Sequence, residues 1–329
     1  MKEASPRIWL LLGPRDGDNN QALALAEALG EPFAVKTLAY NRLQRLSLWL
    51  PPTLTSVRRK YRRHLAPPWP DVIVAVGRRS VPVARWIRAR SGGRTKIVRI
   101  GHPHGQDRLF DLVITTRQYL TSDAPNVVLL PVTMSRFVPP PPPDAAEKAW
   151  IDALPRPMRL VAIGGPTKYW CLTAEQILGC LNVGDGSAVA VTSRRTPSEL
   201  VAQLRDIAAG SSRVRIVESG FPSFSALLGQ ADEIYVTGAS ISMMSEAVQT
   251  GKPVAIMPCE RDSKGLRRLG ARPRSHGRGA HRRDIRRFWE HLVDQGLAGT
   301  TESGACCPQR VPRPTDEAVA AVKRLLGGG

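Results

Sequence analysis

The sequence predicts an α/β protein of two Rossmann-like domains facing across a cleft, and three observations carry that expectation. The 329 residues exceed one ordinary hydrophobic core and suffice for two α/β domains. Short apolar segments recur along the chain, each followed by a small-residue or polar loop and then a helix, the pattern of a parallel sheet covered on both faces. A run of prolines, Pro139–Pro143, interrupts the series, which then restarts. Such a run favours polyproline II, a semi-rigid spacer rising about 3.1 Å per residue. Residues 139–146 are therefore expected to link an N-terminal domain over residues 1–138 to a C-terminal domain over residues 147–329.

The first half opens with a buried strand over Arg7–Leu12, then the loop GPRDGDNN and a helix from Asn19 to Leu29, closed by Gly30. Asp18 and Gln21 have capping-box spacing. Strands follow at Phe33–Thr37 and Val72–Val76, then GRR and a helix near Ser80–Arg90, then strands at Lys96–Ile100, Leu112–Thr116 and Val127–Leu130. After the prolines come a strand at Leu160–Ile163, the loop GGPTKYWCL, and a helix from Thr173 with Gln176 in capping-box position. Ala188–Thr192 is a strand, and Thr196, Pro197 and Glu199 supply a cap, an N1 proline and an N3 acid. Arg213–Val217 and Glu233–Thr237 are further strands. Residues 233–258 then read as strand, small-residue loop, short helix carrying Glu246, a stop at Gly251 and a second apolar strand. Residues 284–297 are expected to be helical, 299–315 loop-like, and Asp316–Leu326 a closing helix of the C-terminal domain.

Lysine and arginine total 47 against 28 aspartate and glutamate, a net charge of +19. That excess favours phosphate-rich partners such as nucleotide, anionic lipid or nucleic acid, though arginine-rich coding bias accounts for part of it. No helix-turn-helix, RNA-binding sheet signature or zinc knuckle accompanies the charge, so nucleic acid is not the expected partner. The five cysteines have no CxxC pair or metal spacing and fit a reducing compartment. The N-terminal apolar run is too short for a signal peptide or a membrane span, and no stretch of about 20 apolar residues exists. The expected location is cytoplasmic, peripheral on the inner face of the membrane. Residues 41–64 carry seven Lys/Arg and no acid, interleaved with Leu46, Leu48, Trp49 and Leu50. Cations beside tryptophan and leucine fit an interfacial element on an anionic membrane surface; an exposed basic loop fits equally. Residues 264–287 carry ten Lys/Arg and one acid, a basic loop able to close over an anionic ligand.

The candidate site residues lie where loops follow strands, because ligands of such sheets bind at the carboxyl ends of strands. In the second half, Gly238, Ser240, Ser242, Met243 and Glu246 begin a helix. Helix N-termini present N–H groups to anions, and an acid one or two turns in can accept from ribose hydroxyls. Glu246 is not three residues after Ser240 or Ser242, so it is no capping-box partner of either. Gly164, Gly165, Pro166 and Thr167 form a second strand-end loop able to hold a phosphate. Arg194 and Arg195 close a third, with guanidinium forks that match phosphate oxygens. In the first half, Gly13, Asp16, Asn19, Asn20, Gln21 and Arg78 are the candidate acceptor-binding residues. Asp16-Gly17-Asp18 formally matches a metal-binding DxD, but three residues carry little information, and no metal is expected. His102, in the strand-end sequence GHPHG, is the candidate general base, since imidazole titrates near neutrality.

GDNNQ, VGRRSVPVA, GHP, FDLVITTR, IGGPT, SRRTP and SMMSEAVQTGKPV occur in this order. The series resembles the bacterial homologues of the plant elongated-mitochondria fission factor over most of positions 8 to 260. The resemblance implies a GT-B-like fold, some relatives being linked to outer-core lipooligosaccharide assembly. It implies a nucleotide-sugar donor, and with the strand-end loops above the expected function is a metal-independent, hexosyl-type glycosyltransferase that needs no cofactor beyond a nucleoside-diphosphate sugar and acts on a cell-surface glycan or glycolipid acceptor. The alternatives are a non-catalytic nucleotide-binding scaffold at a membrane and, behind it, a nucleic-acid binder.

Overall fold

A computed structural model describes residues 7–14, 16–47, 49–119, 121, 123–166, 170–171, 173–218, 220–261 and 284–327. The chain divides into two compact units, one of residues 1–136 with 313–329 and one of residues 137–312. Each holds a parallel six-stranded sheet, the α/β, Rossmann-like class that the sequence predicts.

The first sheet is made of β1 (Ile8–Leu12), β2 (Phe33–Thr37), β3 (Val72–Val76), β4 (Lys96–Ile100), β5 (Leu112–Thr116) and β6 (Val127–Leu130), in the order β2-β1-β3-β4-β5-β6. Leu10 pairs with Val35 on one side and Val74 on the other. The α-helices interspersed among these strands are α1 (Asp16–Leu29), α2 (Arg59–Arg62) and α3 (Val81–Arg90). Both faces of the sheet are apolar, which is why its strands read as continuous hydrophobic runs. Ile8, Leu10 and Leu12 face a core shared with Ala22, Leu25 and Leu29 of α1. Trp9 and Leu11 point to the opposite core, with Val83, Ala84 and Ile87 of α3. Trp69 bridges Trp9 and Trp86 at ring-centroid distances of 6.1 and 5.9 Å.

The second unit contains α4 (Ala145–Asp152), β7 (Met158–Ala162), β8 (Trp170–Cys171), α5 (Ala174–Gly179), β9 (Ser187–Val191), α6 (Ser198–Ala209), β10 (Val214–Val217), α7 (Phe224–Gln230), β11 (Glu233–Thr237), α8 (Ile241–Gln249), β12 (Val254–Met257), β13 (Glu260–Arg261), α9 (Arg286–Asp294) and β14 (Gly299–Thr300). Its main sheet runs β10-β9-β7-β11-β12-β14, and β8 and β13 form a small antiparallel pair. Strand order therefore reverses between β1 and β3 in the first sheet and between β7 and β11 in the second. Such switch points leave a crevice beyond the strand ends, where ligands of open α/β sheets bind.

Several boundaries differ from the sequence-based expectation. The closing helix, α10 (Pro314–Gly327), belongs to the first unit rather than to the C-terminal domain. Its apolar stripe, Ala318, Ala321 and Val322, is buried in the same core as α1, which it completes. The unit boundary falls after Arg136, so the proline run belongs to the second unit, with Pro140 packed against Gly229 at the end of α7 instead of lying in a free spacer. Helix α1 begins at Asp16, which places Asp18 inside the first turn and removes it as a cap. Helix α6 begins with Pro197 in the cap position. The Thr196 hydroxyl is engaged elsewhere, accepting from Ser193 N–H at 2.8 Å and donating to the Ile163 carbonyl at 3.1 Å. Thr173 does cap α5, accepting from Gln176 N–H at 3.3 Å, but Gln176 Oε1 is buried without a partner, so the reciprocal half of the box is missing.

Candidate functional site

In the second unit the switch point gathers three loops. Gly164 follows β7, and its N–H donates to Thr237 Oγ1 at the end of β11, at 2.8 Å. A Cβ on Gly164 would lie 2.9 Å from Ser240 Cβ, and one on Gly165 would lie 2.0 Å from the Arg195 carbonyl oxygen. Only glycine fits either place, so the two residues let the β7 loop lie against the loops that follow β9 and β11. Thr196 ties the β9 loop to β7 through the Ile163 carbonyl. Gly238 donates to the Met257 carbonyl at 2.8 Å, and Trp289 packs over it. Gly164, Gly165, Pro166, Arg194, Arg195, Gly238 and Ser240 thus come from the loops of one switch point, as a ligand site requires. Thr167, with Lys168 and Tyr169, lies outside the described residues, as does most of the basic segment 264–287.

Helix α8 starts at this point. Ser240 occupies its cap position without a side-chain cap hydrogen bond, so the first N–H groups of the helix are not consumed by that side chain. Ile241, Met244, Ala247 and Val248 are buried. Ser242, Met243 and Glu246 lie on the opposite, more exposed face, with Glu246 one turn on from Ser242. Arg194 and Arg195 are exposed on the neighbouring loop.

The switch point of the first unit forms a pocket of about 310 Å³. Gly13, Pro14, Asp18 and Asn19 line it from the β1 side, and Gly77, Arg78 and Arg79 from the β3 side. Asn19 shapes the rim: its amide accepts from Gly13 N–H at 3.1 Å and donates to the Gly13 carbonyl at 2.7 Å. Gly13, Asn19 and Arg78 therefore stand on the pocket. Asn20 and Gln21 sit further along α1 and are not among its lining residues. For Asp16 only the backbone is described, at the first position of α1.

His102 is also on the pocket and only 5% exposed. Its ring stacks on Tyr119 at 4.6 Å and 8°, and its Nδ1 accepts from His104 N–H at 3.4 Å. The loop that carries it turns sharply: Gly101, His104 and Gly105 all have positive φ, a region that a histidine enters only when its surroundings hold it there.

The sequence reading missed the residue at the centre of this pocket, Arg99 on β4. It is 1% exposed, and its guanidinium donates to the carbonyls of Gly77 at 2.7 Å, His102 at 3.1 Å and Ala75 at 3.4 Å, while Nε is buried without a partner. Burial pushes its pKa down to about 10, opposed by the Asp18 carboxylate and by Tyr119 and Tyr40. The guanidinium therefore stays charged at neutral pH. Burial likewise pushes the Tyr40 hydroxyl well above its ordinary range, against Arg79 and Arg99. One signal was available: a lone arginine in the otherwise apolar strand end IVRI. Arg79 follows Arg78 in the strand-end loop GRR, whereas Tyr40 and Tyr119 carried no signal, since tertiary contacts alone bring them here.

The sequence profile described as mitochondrial fission ELM1 matches residues 16–321. The chain belongs to the mitochondrial fission ELM1 family. The mitochondrial fission protein ELM1 of Arabidopsis thaliana is 30% identical over 221 residues, 57% of this chain and 51% of that protein, so the chain spans about half the length of this relative. Among solved structures, a UDP-GlcNAc 2-epimerase from Methanocaldococcus jannaschii matches with a TM-score of 0.52 at 12% identity, over 98% of this chain and 100% of its own. The spinosyn forosaminyltransferase SpnP matches with a TM-score of 0.53 at 15% identity, over 98% of this chain and 91% of its own. At these identities the likeness shows the fold, which is GT-B-like.

Proposed function

We propose that this ELM1-family protein is a glycosyltransferase that moves a sugar from a nucleoside-diphosphate donor to a cell-surface glycan or lipid-linked acceptor. One observation carries the reading: the second sheet's switch point joins two sterically obligate glycines, a helix N-terminus, two exposed arginines and the Glu246 face of α8. A diphosphate would lie over Gly164 and Gly165 and take hydrogen bonds from the first turn of α8. Arg194 or Arg195 would neutralise its charge, and Glu246 would accept from the ribose hydroxyls. Donors aimed at the departing diphosphate stabilise the charge that develops there, a role these residues can fill without a metal. The names of the two solved relatives, a UDP-GlcNAc epimerase and a sugar transferase, support this choice of substrate class.

The acceptor reading rests on the first unit. Its pocket would take a sugar, with His102 as base for the attacking hydroxyl once the long contact from His104 N–H gives way. The basic segment over residues 41–64 would hold the protein peripherally on an anionic inner membrane face. Calorimetric titration of UDP tests the donor site. Wild-type protein should bind with a Kd in the micromolar range, and Glu246→Ala should weaken it about ten- to hundredfold, as expected for hydrogen bonds to a charged acceptor. An unchanged affinity would remove Glu246 from the donor site.

A further inference from the structure

The first unit's pocket is built around a buried cation, Arg99, which braces the loops after β3 and β4 through carbonyl hydrogen bonds and lies over the Phe110 ring. Arg99 is turned toward carbonyl oxygens and makes no ion pair among the described residues. Carbonyls orient a guanidinium but do not neutralise it, and holding such a group away from water is costly unless an anion meets it. Arg78 and Arg79 stand on the same wall, and neither forms an ion pair with a described residue. The lining thus sets three arginines against one carboxylate, Asp18. A cavity of about 310 Å³ is at the lower end of small-molecule sites and matches a single sugar ring with one substituent.

We infer that this pocket is an oxyanion site, and that the acceptor sugar entering it carries a phosphate or carboxylate group held by Arg99, Arg78 and Arg79. The inference rests on the reading of the first unit as the acceptor side. Planar guanidinium forks match both kinds of oxyanion. Asp18 faces the same space, its carboxylate close to Gly77 and near enough to Arg99 to support that charge, which leaves Arg78 and Arg79 as the arginines with no carboxylate beside them on this wall among the described residues. Tyr40 and Tyr119 line the remaining wall. Tyr40 is packed into the core and Tyr119 is stacked on His102, so this wall is rigid rather than open.

Titrations of the full chain with glucose 6-phosphate, glucuronate and glucose test this. At least one anionic sugar should bind tenfold or more tightly than glucose. Arg79→Gln, at a partly exposed position, should weaken that binding about ten- to hundredfold, the usual worth of a hydrogen bond to a charged group. Arg99→Lys, which keeps the charge but loses the fork, should fall between. Preference for glucose 6-phosphate would identify a phosphate, and preference for glucuronate a carboxylate. Glucose binding as tightly as both anionic sugars overturns the inference, as does anionic-sugar affinity unmoved in both Arg78→Gln and Arg79→Gln. UDP titrated into the same samples separates this from the donor reading. Failure of UDP to bind would count against the second unit alone. UDP competing with the anionic sugar one for one, and weakened equally by Arg79→Gln, would make the pocket a nucleotide phosphate site and overturn the inference.

Discussion

Gly165 is the residue where backbone geometry and proposed chemistry meet most tightly. Its Cα lies so close to the β9 loop that an added methyl would collide with the Arg195 carbonyl and Cβ. These are backbone and near-backbone atoms, so they cannot swing aside as a side-chain tip would. Gly165→Ala should cost about 1–3 kcal/mol of stability, the range for overpacking, and should weaken UDP binding by displacing the β7 loop. Urea denaturation with a parallel UDP titration checks both. Full UDP affinity in a folded Gly165→Ala protein would mean that the loop does not touch the nucleotide. This glycine was legible in the sequence, because two glycines after an apolar strand and before a helix have few other uses. Arg99 was not, because its meaning depends on burial, and one charged letter in a strand does not reveal which side of the sheet closes over it. The sequence offers Asn19 as a ligand contact, and the structure places it on the pocket with its amide fastening Gly13.

At the scale of elements, the strands were the most legible part. Continuous apolar runs such as VIVAV and SAVAV announce burial on both faces, and the expected strands lie within one or two residues of the observed bounds, while the two-residue strands β8, β13 and β14 were not expected. The closing helix was legible as a helix but not as a partner of α1. An apolar stripe says that a helix packs, not against which sheet, and here the whole second unit, residues 137–312, separates it from the rest of the core it completes. Helix α4 shows a different kind of information. Asp144 caps it, accepting from Glu147 N–H at 2.8 Å, while the Glu147 carboxylate accepts from Asp144 N–H at 3.0 Å and from Ser223 N–H at 2.8 Å. Hydrogen bonds from Ser223, side chain first and then backbone, and from Asp144 N–H hold the Glu147 carboxyl below its ordinary value. A depressed acid contributes stability that is present above its unfolded pKa of about 4.5 and lost as pH falls through the folded value. Glu147→Gln should therefore lower the urea midpoint near neutral pH, and the gap from wild type should close as pH falls below that unfolded value. A gap independent of pH would show that the carboxylate's charge is not what the contact uses.

At the scale of the molecule, the charge of +19 favours anionic ligands and anionic surfaces in general, and the proposed function uses both. No helix among the described residues is long and apolar enough to cross a membrane. The segment after β2 offers a peripheral route: Asn41 caps a 3-10 helix over Arg42–Leu46, and Leu43, Leu46 and Trp49 are exposed, Trp49 at 74%. Vesicles containing phosphatidylglycerol should bind the protein in low salt and release it as salt rises, and Trp49→Ala should weaken binding at every salt concentration. Equal binding to neutral vesicles would contradict the surface assignment. The family's name concerns mitochondrial fission, and a scaffold that binds nucleotide without turnover would share the fold, the first unit's pocket and the strand-end loops of the second unit.

The most direct test of the central claim is therefore a turnover assay. Purified protein is incubated with UDP-, GDP-, CMP- and ADP-linked sugars, with and without a glycan or lipid-linked acceptor, while nucleotide release is followed. A transferase releases nucleotide from one donor at a rate that rises with acceptor and falls sharply in Glu246→Ala. Tight nucleotide binding with no release from any donor, in the presence of acceptor, would contradict the assignment and leave the scaffold.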